Sequence, residues 1–449
     1  MSINLDRRSA LALLGKGAAG AGLAGRAAGG GQGGGGRRAA PARLLWGSAG
    51  AAYQIEGGNY ASDLWVMEQA KPSLFKEPSG DAVDAYHHME ADIALAAKLG
   101  FNTHRFSIEW SRIEPEEGQI SRAGLAYYRR VFQAIRKHGM LPFLTYNHFT
   151  TPRWFAAKGG FQTRDGIEPF VRFCELITRE FGDMIGAAST FNEPNLGELI
   201  SWQTEFRHLR GYIDTSCAAI GAAMGAPRWM PPLLGDFRVK RPIMIEAHNR
   251  AYESIKKISG GRFPVGITLS LNDDRPSGPG GEEGVLRKRE QVMMPWIRAE
   301  GDFVGVQNYT YSLVGAEADL PNPEGVELTQ MKYPFAPEAL ENVIRTVASV
   351  TRRPIYVTEN GIATDDDARR VAFIDGAVAG VIKCLRDGID VRGYIHWSLL
   401  DNYEWFSGYG PKFGLVSVNR QTFARTPKPS ARHMGRIARA GLPKDVKVL

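Results

Sequence analysis

The chain has 449 residues, 43% of them hydrophobic and 23% charged, enough for one large core. Its formal net charge is +7, but residues 1–42 carry Arg7, Arg8, Lys16, Arg26, Arg37 and Arg38 against Asp6 alone, so only +2 belongs to the rest. A nearly neutral main body argues against a nucleic-acid-binding protein, and three scattered cysteines, Cys174, Cys217 and Cys384, exclude a disulfide framework or thiolate metal cluster.

Residues 1–42 read as a leader. Residues 15–36 hold twelve glycines, a composition no packed helix uses. Arg7-Arg8 ahead of this mildly apolar run resembles a bacterial twin-arginine export signal. Cleavage is then expected near Ala39-Ala40-Pro41-Ala42, with the export machinery as a partner and the periplasm or the medium as destination. The alternative is a disordered Gly/Ala-rich tail on a cytoplasmic protein. Glycine breaks the run too often for it to span a membrane, so no stable membrane insertion is expected.

From residue 43 to 449 the pattern alternates. Strand-like runs are predicted at Arg43–Ala49, Thr103–Ile108, Leu141–His148, Ala188–Glu193, Pro264–Leu271, Asp302–Tyr309, Pro354–Glu359 and Val391–Ser398. Several are nearly continuous in apolar residues, as strands buried on both faces are. Between them, Ala85–Leu99, Tyr127–His138, Pro169–Phe181, Met244–Ile258, Ala339–Val350 and Asp367–Arg386 have the apolar spacing of helices. Strand then helix, repeated around the chain, predicts an α/β fold: a single (β/α)8 TIM barrel.

A barrel of this kind carries its chemistry at the C-terminal ends of its strands. Gln54 and Glu56 follow the first strand, Arg105 lies in the second, and His148 ends the third. Asn192 and Glu193 end the fourth, and Gln307, Asn308 and Tyr309 the sixth. Glu359 ends the seventh and Trp397 the eighth, with Glu404 and Trp405 in the loop beyond. Asn192-Glu193-Pro194 alone could end any strand, and Glu359-Asn360-Gly361 could be an ordinary turn. Together they supply the paired carboxyl groups that cleavage of a glycosidic bond requires.

The ordered strings WGSAGAAYQIEGG, RFSIEWSRIEPEEG, TYNHFTTPRWF, TFNEP, GVQNYT, VTENG and WSLLDNYEWFSGYGPKFGL resemble glycoside hydrolase family 1, the β-glucosidase and β-glycosidase family, from about Leu44 to Arg432. The resemblance implies a retaining, exo-acting enzyme with Glu193 as acid/base and Glu359 as nucleophile, their carboxyl groups about 5–5.5 Å apart. It implies that Arg105 and Tyr309 hold the nucleophile. Gln54, His148, Asn192, Glu404 and Trp405 would bind the sugar, with Trp397 as the platform beneath it. Gln307 and Tyr309 join this substrate-binding set, Gln307 in place of the family's asparagine and one methylene longer. A carboxylate at Glu404 implies unphosphorylated sugars, because it would repel a phosphate there. The implied substrate is a small-molecule or oligosaccharide β-glycoside, first of all a β-glucoside, with no metal or organic cofactor. A transglycosylase on the same residues is the alternative, and a non-catalytic sugar-binding protein a more distant one.

Phe149 and Phe406 depart from the family's tryptophan and alanine, and the segment between strands five and six is short. The longest insertion, residues 196–243, holds Trp202, Phe206, Tyr212, Trp229, Met230 and Phe237. These are expected to pack the insertion onto the barrel. The alternative is a platform for an aryl or lipid-like leaving group.

Overall fold

In the computed structural model, which describes residues 43–71, 73–204 and 206–449, eight parallel strands close into a barrel. They are β1 (Leu45–Gly50), β2 (Thr103–Ser107), β3 (Leu141–Asn147), β4 (Ala187–Asn192), β5 (Val265–Ser270), β6 (Phe303–Asn308), β7 (Ile355–Asn360) and β8 (Val391–Trp397). Each pairs with its neighbour in sequence, and β8 returns to β1. The outer layer holds α1 (Ala85–Leu99), α2 (Arg122–Lys137), α3 (Ile167–Phe181), α4 (Phe237–Ser259), α5 (Gly281–Val292), α6 (Ala339–Val350), α7 (Asp367–Arg386) and α8 (Pro429–Ala440). This is the (β/α)8 barrel that the alternation predicts. Residues 1–42, on which the expected export signal falls, lie outside the described residues. Among the described residues, no helix is long and apolar enough to cross a membrane.

Two helices start earlier than their apolar spacing suggests, and capping explains both. The Ser121 hydroxyl accepts from the Gly124 amide and starts α2 ahead of Tyr127. The Asp236 carboxylate accepts from the Arg238 amide and starts α4 ahead of Met244, although Pro242 then falls inside the helix.

Two hydrophobic layers hold the barrel. The outer one packs strand side chains such as Val304 and Val306 against helix residues such as Val343, Ile344 and Val347. The inner one fills the lumen. Phe143 from β3, Phe303 from β6 and Tyr356 from β7 meet edge to face at centroid distances of 5.7, 4.9 and 5.7 Å. β3 and β6 are not neighbours, so these rings can touch only inside the barrel. Each ring buries about 150–250 Å². The plug closes the lumen, and the chemistry is left to the C-terminal rim.

Alternation then sets which residues point inward. Arg105 of β2 is level with Phe143 of β3, Thr103 lies two residues before Arg105 on the same face, and Gly305 and Gln307 follow Phe303 along β6. Beside the site, β4 and β7 break the rule. On β4 the register against β5 shifts between Ser189 and Asn192. Ala187 therefore faces the lumen, whereas Phe191 faces outward and stacks on Phe170 of α3 at 4.3 Å. On β7 the register against β6 shifts between Val357 and Glu359. One extra residue in a strand swaps the two faces beyond it. Without these shifts, Asn192 and Glu359 would turn away from the lumen.

Candidate active site

A cavity of about 620 Å³ opens at the C-terminal rim. Gln54, His148, Asn192, Glu193, Tyr309, Glu359, Trp397, Glu404 and Trp405 line it, and Arg105 and Gln307 stand behind its wall. Thus side chains from all strands but β5 of the predicted set converge on one place. Glu56 and Asn308, also at strand ends, do not reach it. Glu56 accepts from Arg112 (2.9 Å) and Tyr128 (2.8 Å), and Asn308 donates to the Leu271 and Thr310 carbonyls.

Glu359 is the most tightly held group. Arg105 Nη1 donates to its Oε1 at 2.5 Å, Gln307 Nε2 to the same oxygen at 3.0 Å, and the Tyr309 hydroxyl to Oε2 at 2.6 Å. Arg105 and Gln307 each reach Asn192 as well: Arg105 Nη2 and Gln307 Nε2 donate to its Oδ1 at 2.6 and 2.8 Å. The Asn192 carbonyl oxygen is therefore occupied, and its Nδ2 is turned to His148 Nε2 at 3.2 Å. Burial and the nearby Arg105 charge hold the His148 pKa well below its usual value, so this ring is a neutral acceptor at Nε2.

The two glutamates differ in their compensation. Burial raises the pKa of both. Glu359 has a guanidinium and two further donors to offset it. Glu193 has burial and the Glu359 charge pushing the same way, against a weaker hydrogen bond from Ser270, and rises to about 8. At neutral pH the proton shared by this pair sits on Glu193, and Glu359 carries the charge. Glu404 is also pushed up to about 8, by burial first and by Glu359 and Asp401 after it. Its Oε1 accepts from Trp397 Nε1 at 3.3 Å.

The remaining lining is suited to a ring with polar edges. Gln54 Nε2 donates to Asn402 Oδ1 (3.0 Å) and the Tyr403 carbonyl (2.7 Å), which leaves its buried Oε1 without a protein donor. His148 stacks on Trp397 at 5.8 Å and on Trp405 at 6.0 Å, and Trp405 stacks in turn on Tyr53 at 5.9 Å. Phe149 meets Trp405 edge-on at 5.3 Å, and Phe406 packs on Phe75 at 4.8 Å. Phe149, Glu193 and Trp405 all have positive φ, at 71°, 43° and 51°. Left-handed backbone costs a residue with a side chain about 1–2 kcal/mol, and such strain gathers at working sites.

The sequence reading missed Ser270 and Asn272 at the end of β5, and Met331, Tyr333 and Phe413. The strand-end rule could have found the first two. Met331 and Tyr333 lie deep in the connection after β6, where no pattern marks them. In the insertion, Trp202 and Trp229 are buried among apolar neighbours, as expected of a packed segment. Trp202 and Phe237 also reach the outer part of the cavity.

Comparison with known proteins agrees with this geometry. The model of glycosyl hydrolase family 1 matches residues 37–312 and 296–441. Beta-glucosidase A of Thermotoga maritima is 30% identical over 437 residues, covering 87% of this chain and 95% of that protein. Thermostable beta-glucosidase B of Thermobispora bispora is 30% identical over 446 residues, covering 87% and 89%. The apo structure of a beta-glucosidase 1317 superimposes with a TM-score of 0.88 at 66% identity, over 90% of this chain and 100% of that one. A matching family model across nearly all of residues 43–449, and a site built from paired buried glutamates, lead to one assignment: the chain belongs to glycosyl hydrolase family 1.

Proposed function

We propose that the protein is a retaining β-glucosidase acting on unphosphorylated β-D-glycosides, with Glu359 as nucleophile and Glu193 as acid/base. The observation that carries the assignment of roles is the unequal grip on the two carboxyl groups. Arg105, Tyr309 and Gln307 hold Glu359 as a carboxylate, while Glu193 keeps its proton to about pH 8.

The reaction then runs in two halves. A Glu359 oxygen attacks the anomeric carbon while the Glu193 proton passes to the leaving oxygen. The glycosidic C–O bond breaks as the ester bond to Glu359 forms. That step removes the Glu359 charge, which was part of what raised Glu193, so Glu193 becomes a base. It takes a proton from water, the water oxygen attacks the same carbon, and Glu359 leaves as a carboxylate. Two inversions give net retention. Asn192 Nδ2 and the free Gln54 Oε1 supply a donor and an acceptor for sugar hydroxyls, and Trp397 offers its face to the ring.

Unphosphorylated substrates are favoured by the charges at hand. Among the described residues, the cavity's cations are Arg210, Arg238 and Arg287. Each is already paired with a carboxylate. Lys412, eight residues beyond Glu404, donates to the Tyr409 carbonyl at 2.6 Å. A phosphate beside Glu404 would meet carboxyl groups and no free cation. The assay that tests the whole reading follows hydrolysis of 4-nitrophenyl β-glucoside by NMR. The β-anomer of glucose should appear first. First appearance of the α-anomer, or no turnover, would overturn it.

Arg7-Arg8 and the glycine-rich run after it support, in addition, export by the twin-arginine route. Cell fractionation should find the enzyme outside the cytoplasm, and Arg7→Lys with Arg8→Lys should retain it inside. Equal distribution of both forms would refute export by this route.

A further inference from the structure

The cavity has an outer part that the reaction above leaves unused, and its wall is aliphatic: Leu196, Leu199, Ile200, Leu209, Ile213 and Leu233. Leu199 and Ile213 are buried and the others half-buried. The wall begins at the acid itself. The Leu196 amide donates to the Glu193 carbonyl at 3.0 Å and opens a short helix, Leu196–Ser201, one face of which is the wall. A leaving group that takes its proton from Glu193 therefore departs along this surface.

Two of the polar side chains beside it, Ser201 and Gln291, are engaged with their neighbours. Gln291 Oε1 accepts from Trp202 Nε1 at 3.1 Å, and its Nε2 reaches the Ser201 hydroxyl at 3.5 Å. At the mouth, Arg210 pairs with Asp214, Arg238 with Asp236 at 2.9 Å, and Arg287 with Glu317 at 3.2 Å. The rim thus offers no net charge to an anionic group. A second sugar carries hydroxyls around its whole edge, and those facing the aliphatic wall would lose water without gaining a partner. A hydrocarbon chain would exchange water for carbon contacts.

From this we infer that the vestibule selects β-glycosides with an apolar leaving group, alkyl or aryl, over those whose leaving group is a second sugar. The inference rests on the β-glucosidase reading above. The test is an n-alkyl β-glucoside series (methyl, butyl, hexyl) with cellobiose as the comparison. Leaving-group acidity is nearly constant along the alkyl series, so the slope reports the vestibule alone. Specificity constants should rise by up to about fourfold per methylene, following the transfer free energy of a buried CH₂, and hexyl glucoside should exceed cellobiose. Ile200→Gln with Leu209→Gln should lower the hexyl-to-methyl ratio; if that pair does not fold, Leu209→Gln alone should lower it in part. Methyl glucoside turnover with a flat series, or cellobiose above hexyl glucoside, would overturn the vestibule and leave the glucosidase reading standing. No turnover of any glucoside would overturn both.

Discussion

At the scale of single residues, the division of labour proposed for Glu193 and Glu359 is electrostatic. Removing the proposed nucleophile in Glu359→Ala should lower kcat by on the order of 10⁴-fold or more. Azide should restore part of the rate and yield the α-glycosyl azide; a near-normal rate without azide would disprove the role. The pH profile follows from the same arrangement. Glu193 must be protonated to act, and its pKa is raised to about 8, so kcat/KM should fall as pH rises through that region. Glu359 must be ionised and is lifted above the ordinary glutamate value, so the acidic limb should lie above about 4.5. In Glu193→Ala, assayed with a dinitrophenyl glucoside whose departure needs no proton, the alkaline limb should vanish. A limb that survives would belong to another group, with Glu404 the first suspect. The glutamates themselves were legible in the sequence because each ends an apolar run. The bridging role of Gln307 was not, because it depends on Asn192 and Glu359 arriving within reach from two other strands.

At the scale of elements, most strands and helices could be read from apolar spacing, but which strand residues face the lumen could not. Alternation along β4 and β7 fails at the register shifts before Asn192 and Glu359. A shift of this kind leaves no mark in composition, since it is a property of the pairing between two strands. The start of α4 was missed for a different reason: its capping residue, Asp236, lies well ahead of the apolar spacing, and Pro242 falls between them. Just beyond β7, Gly361 records how closely the ends of β7 and β8 approach. A Cβ there would lie 2.1 Å from the Trp397 carbonyl oxygen and 3.4 Å from the His396 ring. Gly361→Ala should therefore destabilise the fold by about 1–3 kcal/mol, as overpacking does. It should also lower kcat more than it changes KM, because Glu359 is two residues away. Chemical denaturation and steady-state kinetics would measure the two effects, and an unchanged denaturation midpoint would contradict the close packing.

At the scale of the whole molecule, the barrel was legible because its repeat is long and regular, and the insertion was not, because its helices Leu196–Ser201 and Phe206–Ala223 answer to the site rather than to the repeat. The same insertion supplies the mouth with its matched pairs of Arg210 and Asp214, Arg238 and Asp236. A mouth whose charges cancel in place projects little potential into the solvent, and the +2 carried by residues 43–449 adds little more. Substrates then arrive by unguided diffusion. Raising ionic strength from about 0.01 to 1 M shrinks the Debye length from about 30 to 3 Å, yet kcat/KM for a neutral aryl glucoside and for its carboxylate-bearing analogue should each change by less than about twofold. A steep salt dependence confined to the anionic analogue would reveal an uncancelled field at the mouth. Without one, the protein finds its substrates at a rate set by viscosity and by the width of its opening, and that rate holds equally in fresh and in saline surroundings.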